Sequence, residues 1–309
     1  MTELASSEVD RQLPIGEEIF LDHVGHFVRD REAAERALVR AGFAPTPVSI
    51  QVNPDPDGTP RPSGTGNMTA MLRRGYIEVL FKTADTPLGR EFDAAVARHS
   101  GIHLAAFAVA DAGKRHDRLG AAGFRMRPLV EMRRPVETET GAATAAFTIA
   151  RVEPGTMPEG RIQMLTHRTE DAVWQPRWLA HPSGALGLAS FVIAVPDVEE
   201  AGRRFARFTD RPAAPTPFGQ TVVLDRGRVE LVTPAAFEAL LPEMPIPSLP
   251  FAGAYGVTLK SLDAAESLLR RMSLRTRRAG ACLVAPFPDE LGKGAWLFAE
   301  NNQTLLFRS

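Results

Sequence analysis

The sequence predicts an α+β protein made of four copies of one βαβββ module, arranged as two tandem pairs. Three observations predict it. A turn-and-strand segment recurs along the chain, a capped helix recurs in step with it, and 309 residues suit about two domains.

The turn-and-strand repeat reads LRRGYIEVL at Leu72–Leu80 and LDRGRVELV at Leu224–Val232, with Leu, Arg, Gly and Glu at the same spacing. EGRIQML at Glu159–Leu165 fits the same template, and NNQTLLF at Asn301–Phe307 is a fainter fourth copy. Each reads as a tight turn leading into a strand with alternating apolar residues. The helices are VRDREAAERALVRAGF, VADAGKRHDRLGAAGF, VPDVEEAGRRFARFTDRP and SLDAAESLLRRMSL. Asp or Ser at the head of each is a plausible N-cap, and AGF closes the first two with a C′ glycine. A short apolar strand precedes each helix: LDHVGHFV, IHLAAFAV, LASFVIAV and AYGVTLK. A break at HPSGALG, His181–Gly187, separates the pairs, which places the domains at 18–182 and 187–309. Thr46–Gly66 is rich in Pro, Gly and Asp and reads as a long exposed loop.

Composition removes several function classes. A formal charge of -1 leaves no electrostatic footprint for nucleic acid. The lone Cys282 excludes a disulfide framework and a cysteine-based zinc site, and fits a reducing compartment. The first twenty residues lack the pattern of a signal peptide, and no apolar run is long enough to span a membrane. A cytoplasmic location is therefore the expectation, with a small-molecule substrate as partner and a homodimer as the default oligomer. The histidines are unevenly placed: none of the seven follows His181. Imidazole chemistry, if the protein performs any, belongs to the first half.

Four such modules in two pairs resemble the vicinal oxygen chelate superfamily, which includes glyoxalase I, bleomycin-resistance proteins and extradiol ring-cleaving dioxygenases. The resemblance covers roughly residues 18 to 309. Within the first half, RPVETETG, MPEGRIQ and HRTEDAVWQPRWLAHPSGA are similar to the glyoxalase-like domain group. The resemblance implies that paired modules form a cup around a divalent metal, with ligands from the first and last strand of each module. Carried over by position, the set is His23, Glu78, His103 and Gln163. The metal would be Fe, Mn, Zn or Ni. Two imidazoles and a carboxylate with open positions would let such an ion hold two vicinal oxygens of a substrate and polarise a carbonyl.

The residues carry part of this reading by themselves. Glu78 lies between Ile77 and Val79, and Gln163 occupies the matching place in its own strand, so both are polar groups among apolar neighbours. His103 is less regular. His23 precedes the cap Asp30 by seven residues, whereas His103 precedes Asp111 by eight, and a one-residue slip turns a strand side chain to the other face. His103 points inward only if a bulge or a shifted cap absorbs the extra residue. His167, four residues after Gln163, is a reserve ligand or general base. Asn67, Arg134 and Thr138 are candidate substrate contacts. Trp174 and Trp178 are expected to pack the connection between domains. In the second pair the matching positions are Ser190, Ala254 or Tyr255, Glu230 and Leu305, so that cup reads as a retired duplicate.

The leading expectation is a metal-dependent enzyme with Glu78 and His167 as catalytic groups, in lyase or isomerase chemistry. An extradiol-type dioxygenase and a non-catalytic binding protein of the bleomycin-resistance type are the alternatives.

Overall fold

In a computed structural model, residues 11–54, 59–301 and 307 are described. The first module comprises β1 (Ile19–Phe27), α1 (Arg31–Arg40), β2 (Ser49–Pro54), β3 (Pro60–Met71) and β4 (Tyr76–Lys82). After α2 (Pro87–Arg98) the second follows as β5 (Gly101–Val109), α3 (Ala112–Ala121), β6 (Val130–Thr138), β7 (Gly141–Arg151) and β8 (Arg161–His167). A short α4 (Glu170–Val173) leads to the third: β9 (Ala185–Ala194), α5 (Val198–Thr209), β10 (Ala213–Thr216), β11 (Gly219–Val223) and β12 (Arg228–Val232). After α6 (Pro234–Leu240) the fourth is β13 (Phe251–Leu259), α7 (Leu262–Arg271), β14 (Arg277–Ala279), β15 (Cys282–Pro286) and β16 (Ala295–Ala299).

The two sheets have matching topology, β2-β3-β4-β1-β5-β8-β7-β6 and β10-β11-β12-β9-β13-β16-β15-β14. The protein is thus α+β, with two tandem domains, each built from paired βαβββ modules. All four module helices start as the repeat predicts. Asp30, Asp111, Asp197 and Ser261 each accept a hydrogen bond from the backbone N–H three residues on, which satisfies one otherwise orphaned donor per helix.

Two sequence expectations change. The segment read as a loop at Thr46–Gly66 contains β2 and the start of β3, and its residues 55–58 lie outside the described residues. The last strand of the fourth module is β16, upstream of NNQTLLF; Leu305 lies outside the described residues. The all-apolar AWLFA is buried along its length, and an alternation-based reading passes over such a strand.

A bulge recurs at the centre of each sheet. Along β1 and β5, Leu21 faces Phe107 but His23 faces Ala106, so Asp22 is the extra residue. On the other strand Gly25 faces Leu104 and His26 faces Ile102, so His103 is extra. Ala189 and Gly253 take the same two places between β9 and β13. The repeat glycines accommodate these bulges. A Cβ on Gly75 would lie 2.5 Å from the Asp22 carbonyl oxygen, and one on Gly160 would lie 2.5 Å from that of His103. Gly160 also holds φ +144°, which other residues rarely adopt. Gly160→Ala is expected to cost about 2 kcal/mol or more through combined clash and strain. Chemical denaturation of the variant checks this.

Among the described residues, apolar packing forms three clusters. The largest joins the helix-facing sides of both sheets, from Val24, Ile77 and Ala105 to Tyr255, Trp296 and Phe298. The other two line the concave faces, one per domain.

Candidate active site

The bulges decide which side chains enter each cup. In the parallel pairings Gly25 faces Glu78, Ala106 faces Gln163, Val192 faces Glu230 and Gly256 faces Leu297. Stepping back two residues on each first strand gives the equivalent positions His23, Leu104, Ser190 and Ala254. The N-terminal cup therefore presents His23, Glu78, Leu104 and Gln163. The C-terminal cup presents Ser190, Glu230, Ala254 and Leu297.

Apolar side chains fill part of the C-terminal cup, while Glu230 borders an open pocket of about 530 Å³ beside β10 and β11. Phe237, Phe251 and Phe307 pack with Val192, Ala254 and Leu297, with Cys282 buried among them. Glu230 is paired with Arg228 at 3.1 Å.

The N-terminal cup keeps a cavity of about 50 Å³, lined among others by His23, Asn67, Tyr76, Glu78, Leu104, Arg134, Arg151, Arg161 and Gln163. Asn67 donates from Nδ2 to Glu78 Oε1 at 2.6 Å. Arg151 Nε donates to Gln163 Oε1 at 3.1 Å. His23 Nε2 lies 3.6 Å from Glu78 Oε2. On its other side, His23 Nδ1 is 2.7 Å from Asp22 Oδ2, and the second oxygen of Asp22 is 3.0 Å from His167 Nε2. Asp22 is fully buried. Burial opposes its charge, yet the two imidazoles hold its carboxyl well below the usual carboxylate range. An ionised carboxylate only accepts, so Nδ1 of His23 carries the hydrogen in this contact. In the neutral ring Nε2 then turns a lone pair toward the cup.

Aromatic rings fix this pair. Tyr76 stacks on His23 with centroids 4.3 Å apart. Trp174 packs edge-on to both Tyr76 and His167 and donates from Nε1 to the Leu72 carbonyl. Trp174 thus backs the histidine pair rather than packing the connection between domains. Burial, reinforced by the charges of Asp22 and Glu78, keeps the Tyr76 hydroxyl protonated far above its ordinary range.

The structure brings together His23, Glu78, Gln163, Asn67 and Arg134. It does not bring His103 to them. As the extra residue of its bulge, His103 turns out of the cup and donates from Nε2 to the His99 carbonyl at 2.7 Å. Leu104 takes the inward place. His167 lies behind the cup and reaches it only through Asp22. Thr138 closes the β6–β7 hairpin by donating to the Gly141 carbonyl and does not line the cavity. The sequence reading missed Asp22, Tyr76, Arg151 and Arg161. One signal was available: Leu104, not His103, stands seven residues before its helix cap.

The set expected for a divalent metal is therefore incomplete. His23 and Glu78 remain as donors, the Gln163 oxygen is occupied by Arg151, and Leu104 fills the fourth place. Among the described residues no cluster of three or more His, Cys, Asp or Glu is placed to hold a metal ion. Glu78 also shares its surroundings with Arg151 and Arg161, whose charges it favours.

A family model described as a glyoxalase-like domain matches residues 21–209. No curated protein matches the chain significantly. Among solved structures, a hypothetical protein from Staphylococcus aureus is similar at TM-score 0.61 and 8% identity, covering 91% of this chain and 98% of that one. A mutant of 4-hydroxymandelate synthase from Streptomyces coelicolor is similar at TM-score 0.58 and 14% identity, covering 94% and 97%. A Mn(II)-bound glyoxalase from Novosphingobium aromaticivorans reaches TM-score 0.50 at 14% identity, covering 92% and 82%. At these identities the likeness shows the fold alone.

Proposed function

Since the chain belongs to the glyoxalase-like domain family of the vicinal oxygen chelate superfamily, we propose that its N-terminal cup is a proton-transfer site for a small carbonyl compound bound through neighbouring oxygens, in lyase or isomerase chemistry. One observation carries this reading: an imidazole oriented by a buried carboxylate aims Nε2 at Glu78, 3.6 Å away, inside the cup. The Glu78 carboxylate takes the proton from the carbon beside the carbonyl. The C–H electron pair moves into the carbon–carbon bond and the carbonyl pair moves onto oxygen, giving an enolate. Tyr76, held protonated, supplies an O–H toward that oxygen, and Asn67 keeps Glu78 in place. With the hydrogen on Nδ1, His23 can accept at Nε2 a hydrogen bond from a neighbouring substrate hydroxyl. Glu78 then delivers its proton to the former carbonyl carbon, while the neighbouring hydroxyl gives its proton by way of His23 Nε2 to the enolate oxygen, so that the carbonyl ends on the neighbouring carbon.

A second reading places a divalent Fe, Mn, Zn or Ni ion between His23 and Glu78. The contact of His23 with Asp22 favours it, because metal-bound histidines commonly hold a carboxylate on the other ring nitrogen. Two available protein donors are few for a resident ion, so the first reading leads. A dioxygenase would depend on that ion, and a sequestering protein would bind without proton transfer.

The test is hydrogen–deuterium exchange followed by NMR in D2O, on a panel of 2-hydroxy ketones and 2-oxo acids. The protein is expected to accelerate loss of the C–H signal for a member of the panel after dialysis against chelator. Glu78→Gln is expected to slow that exchange by about 10²–10⁴-fold. Exchange that is absent throughout, or unchanged in Glu78→Gln, overturns the reading. One equivalent of metal that leaves on His23→Ala, with activity following it, establishes the second reading instead.

A further inference from the structure

The cup itself is a small cavity of about 50 Å³. Next to it lies a groove of about 440 Å³ between α2, the β7–β8 loop and the ends of β1, β5 and β8. Phe27, Ala95, Met157 and Pro158 give the groove apolar walls. Arg151 and Arg161 line both spaces and form the partition between them.

These two guanidiniums are the unusual feature. Both are half-buried, and among the described residues neither makes an ion pair. Arg151 spends its Nε on Gln163, and Arg161 lies over the Phe27 ring with its Cζ 5.3 Å from the centroid. Arg127, on the same groove, is by contrast engaged by Glu91 and Glu153. Two like charges side by side in a partly dry site repel; Glu78 and Glu91 offset this from a distance, and neither is in a direct ion pair with them, so an anion bridging both forks would offset it further. Burial and that repulsion bring Arg151 down to about 10, so it stays charged near neutral pH. Planar guanidinium forks suit a carboxylate or a phosphate, both of which present paired oxygens.

We propose that the ligand of this site is an oxyanion with an apolar body. Its carboxylate or phosphate bridges Arg151 and Arg161, its body lies in the groove beside Phe27 and Ala95, and its reactive end enters the cup. The identity of the reactive end rests on the proton-transfer reading. The anion site and the groove do not.

Calorimetric titration of the full chain tests this with four probes: phenyl phosphate, inorganic phosphate, phenylacetate and acetate. Phenyl phosphate or phenylacetate is expected to bind at least tenfold tighter than the matching simple anion, and the tighter of the two identifies the headgroup. Ala95→Trp fills the groove and is expected to abolish that tenfold preference while leaving the affinity for the simple anion within twofold. Arg161→Gln is expected to weaken both members of the pair at least tenfold. Arg161→Lys keeps the charge and is expected to recover part of the loss, which separates anion binding from misfolding; thermal melting of each variant accompanies the titration. Equal binding of aromatic and simple anions, or a preference that survives Ala95→Trp, overturns the groove assignment. Affinities indifferent to both Arg161 variants overturn the anion site. If exchange on the carbonyl panel fails while the titration pattern holds, the proton-transfer reading falls and the ligand site stands.

Discussion

Asp22→Asn is expected to cut carbon–hydrogen exchange by about 10²–10⁴-fold, with a much smaller loss of stability. The substitution keeps the volume of a fully buried side chain and removes its charge. It also removes one acceptor. Asp22 receives hydrogen bonds from His23 Nδ1 and His167 Nε2 on separate oxygens. An asparagine offers one oxygen and one NH2, so one of the two rings must turn its lone pair inward. If His23 does so, its proton moves to Nε2, and the ring faces the cup as a donor instead of an acceptor. Nitrogen NMR of the labelled protein reads the His23 tautomer directly, and the exchange assay reads the consequence. A merely structural role for Asp22 predicts lower thermal stability with an unchanged tautomer and an unchanged pH profile. Retention of activity with the tautomer reversed removes the imidazole from the mechanism.

The repeated architecture was legible in the sequence because each module writes its own boundaries. Asp30, Asp111, Asp197 and Ser261 mark the helix starts, and the Gly75, Gly160 and Gly227 turns mark the last strands in three of the four copies. The fourth copy lacks the turn pattern, so its last strand was read too far downstream. In the cup, His23, Glu78 and Gln163 keep their phase, whereas His103 does not. A bulge adds one residue to a strand without changing its composition, so its position is invisible to an alternation rule. Spacing from the helix cap does report it, and by that measure Leu104 holds the inward place. Arg151 and Arg161 carried no local signal at all. Each is one of 36 basic residues, and their importance comes from adjacent strands that turn both guanidiniums into one wall.

Stability is expected to fall by about 2 kcal/mol between pH 7 and pH 5 through His26 alone. This histidine is fully buried where the two sheets meet. Its Nδ1–H donates to the Leu291 carbonyl at 2.9 Å, and its Nε2 accepts from the Tyr255 hydroxyl at 2.9 Å. Tyr255 in turn accepts from Trp296 Nε1 at 2.7 Å. The chain is complete only with a neutral imidazole. A second proton on Nε2 would face the Tyr255 oxygen, already an acceptor, and would strand the tyrosine O–H. Burial, the largest cause, pushes His26 down to about 4. The unfolded chain therefore binds a proton near the ordinary histidine value, about 6.5, and the folded chain does not until about pH 4. Stability is full above the unfolded value and is lost as pH falls through this window. Asp22 acts in a different range, because a depressed carboxyl loses its contribution only below the ordinary carboxylate value of about 4. His99 and His103, brought by burial to about 3 and about 4, steepen the same slope as His26. Urea titrations at pH 7 and pH 5 on the protein and on His26→Gln separate the contributions. The variant is expected to be less stable at pH 7, since glutamine fits the chain of donors imperfectly, and to lose about 2 kcal/mol less on acidification. An equal loss in both proteins would assign the acid sensitivity to the His99 and His103 pair beside the groove.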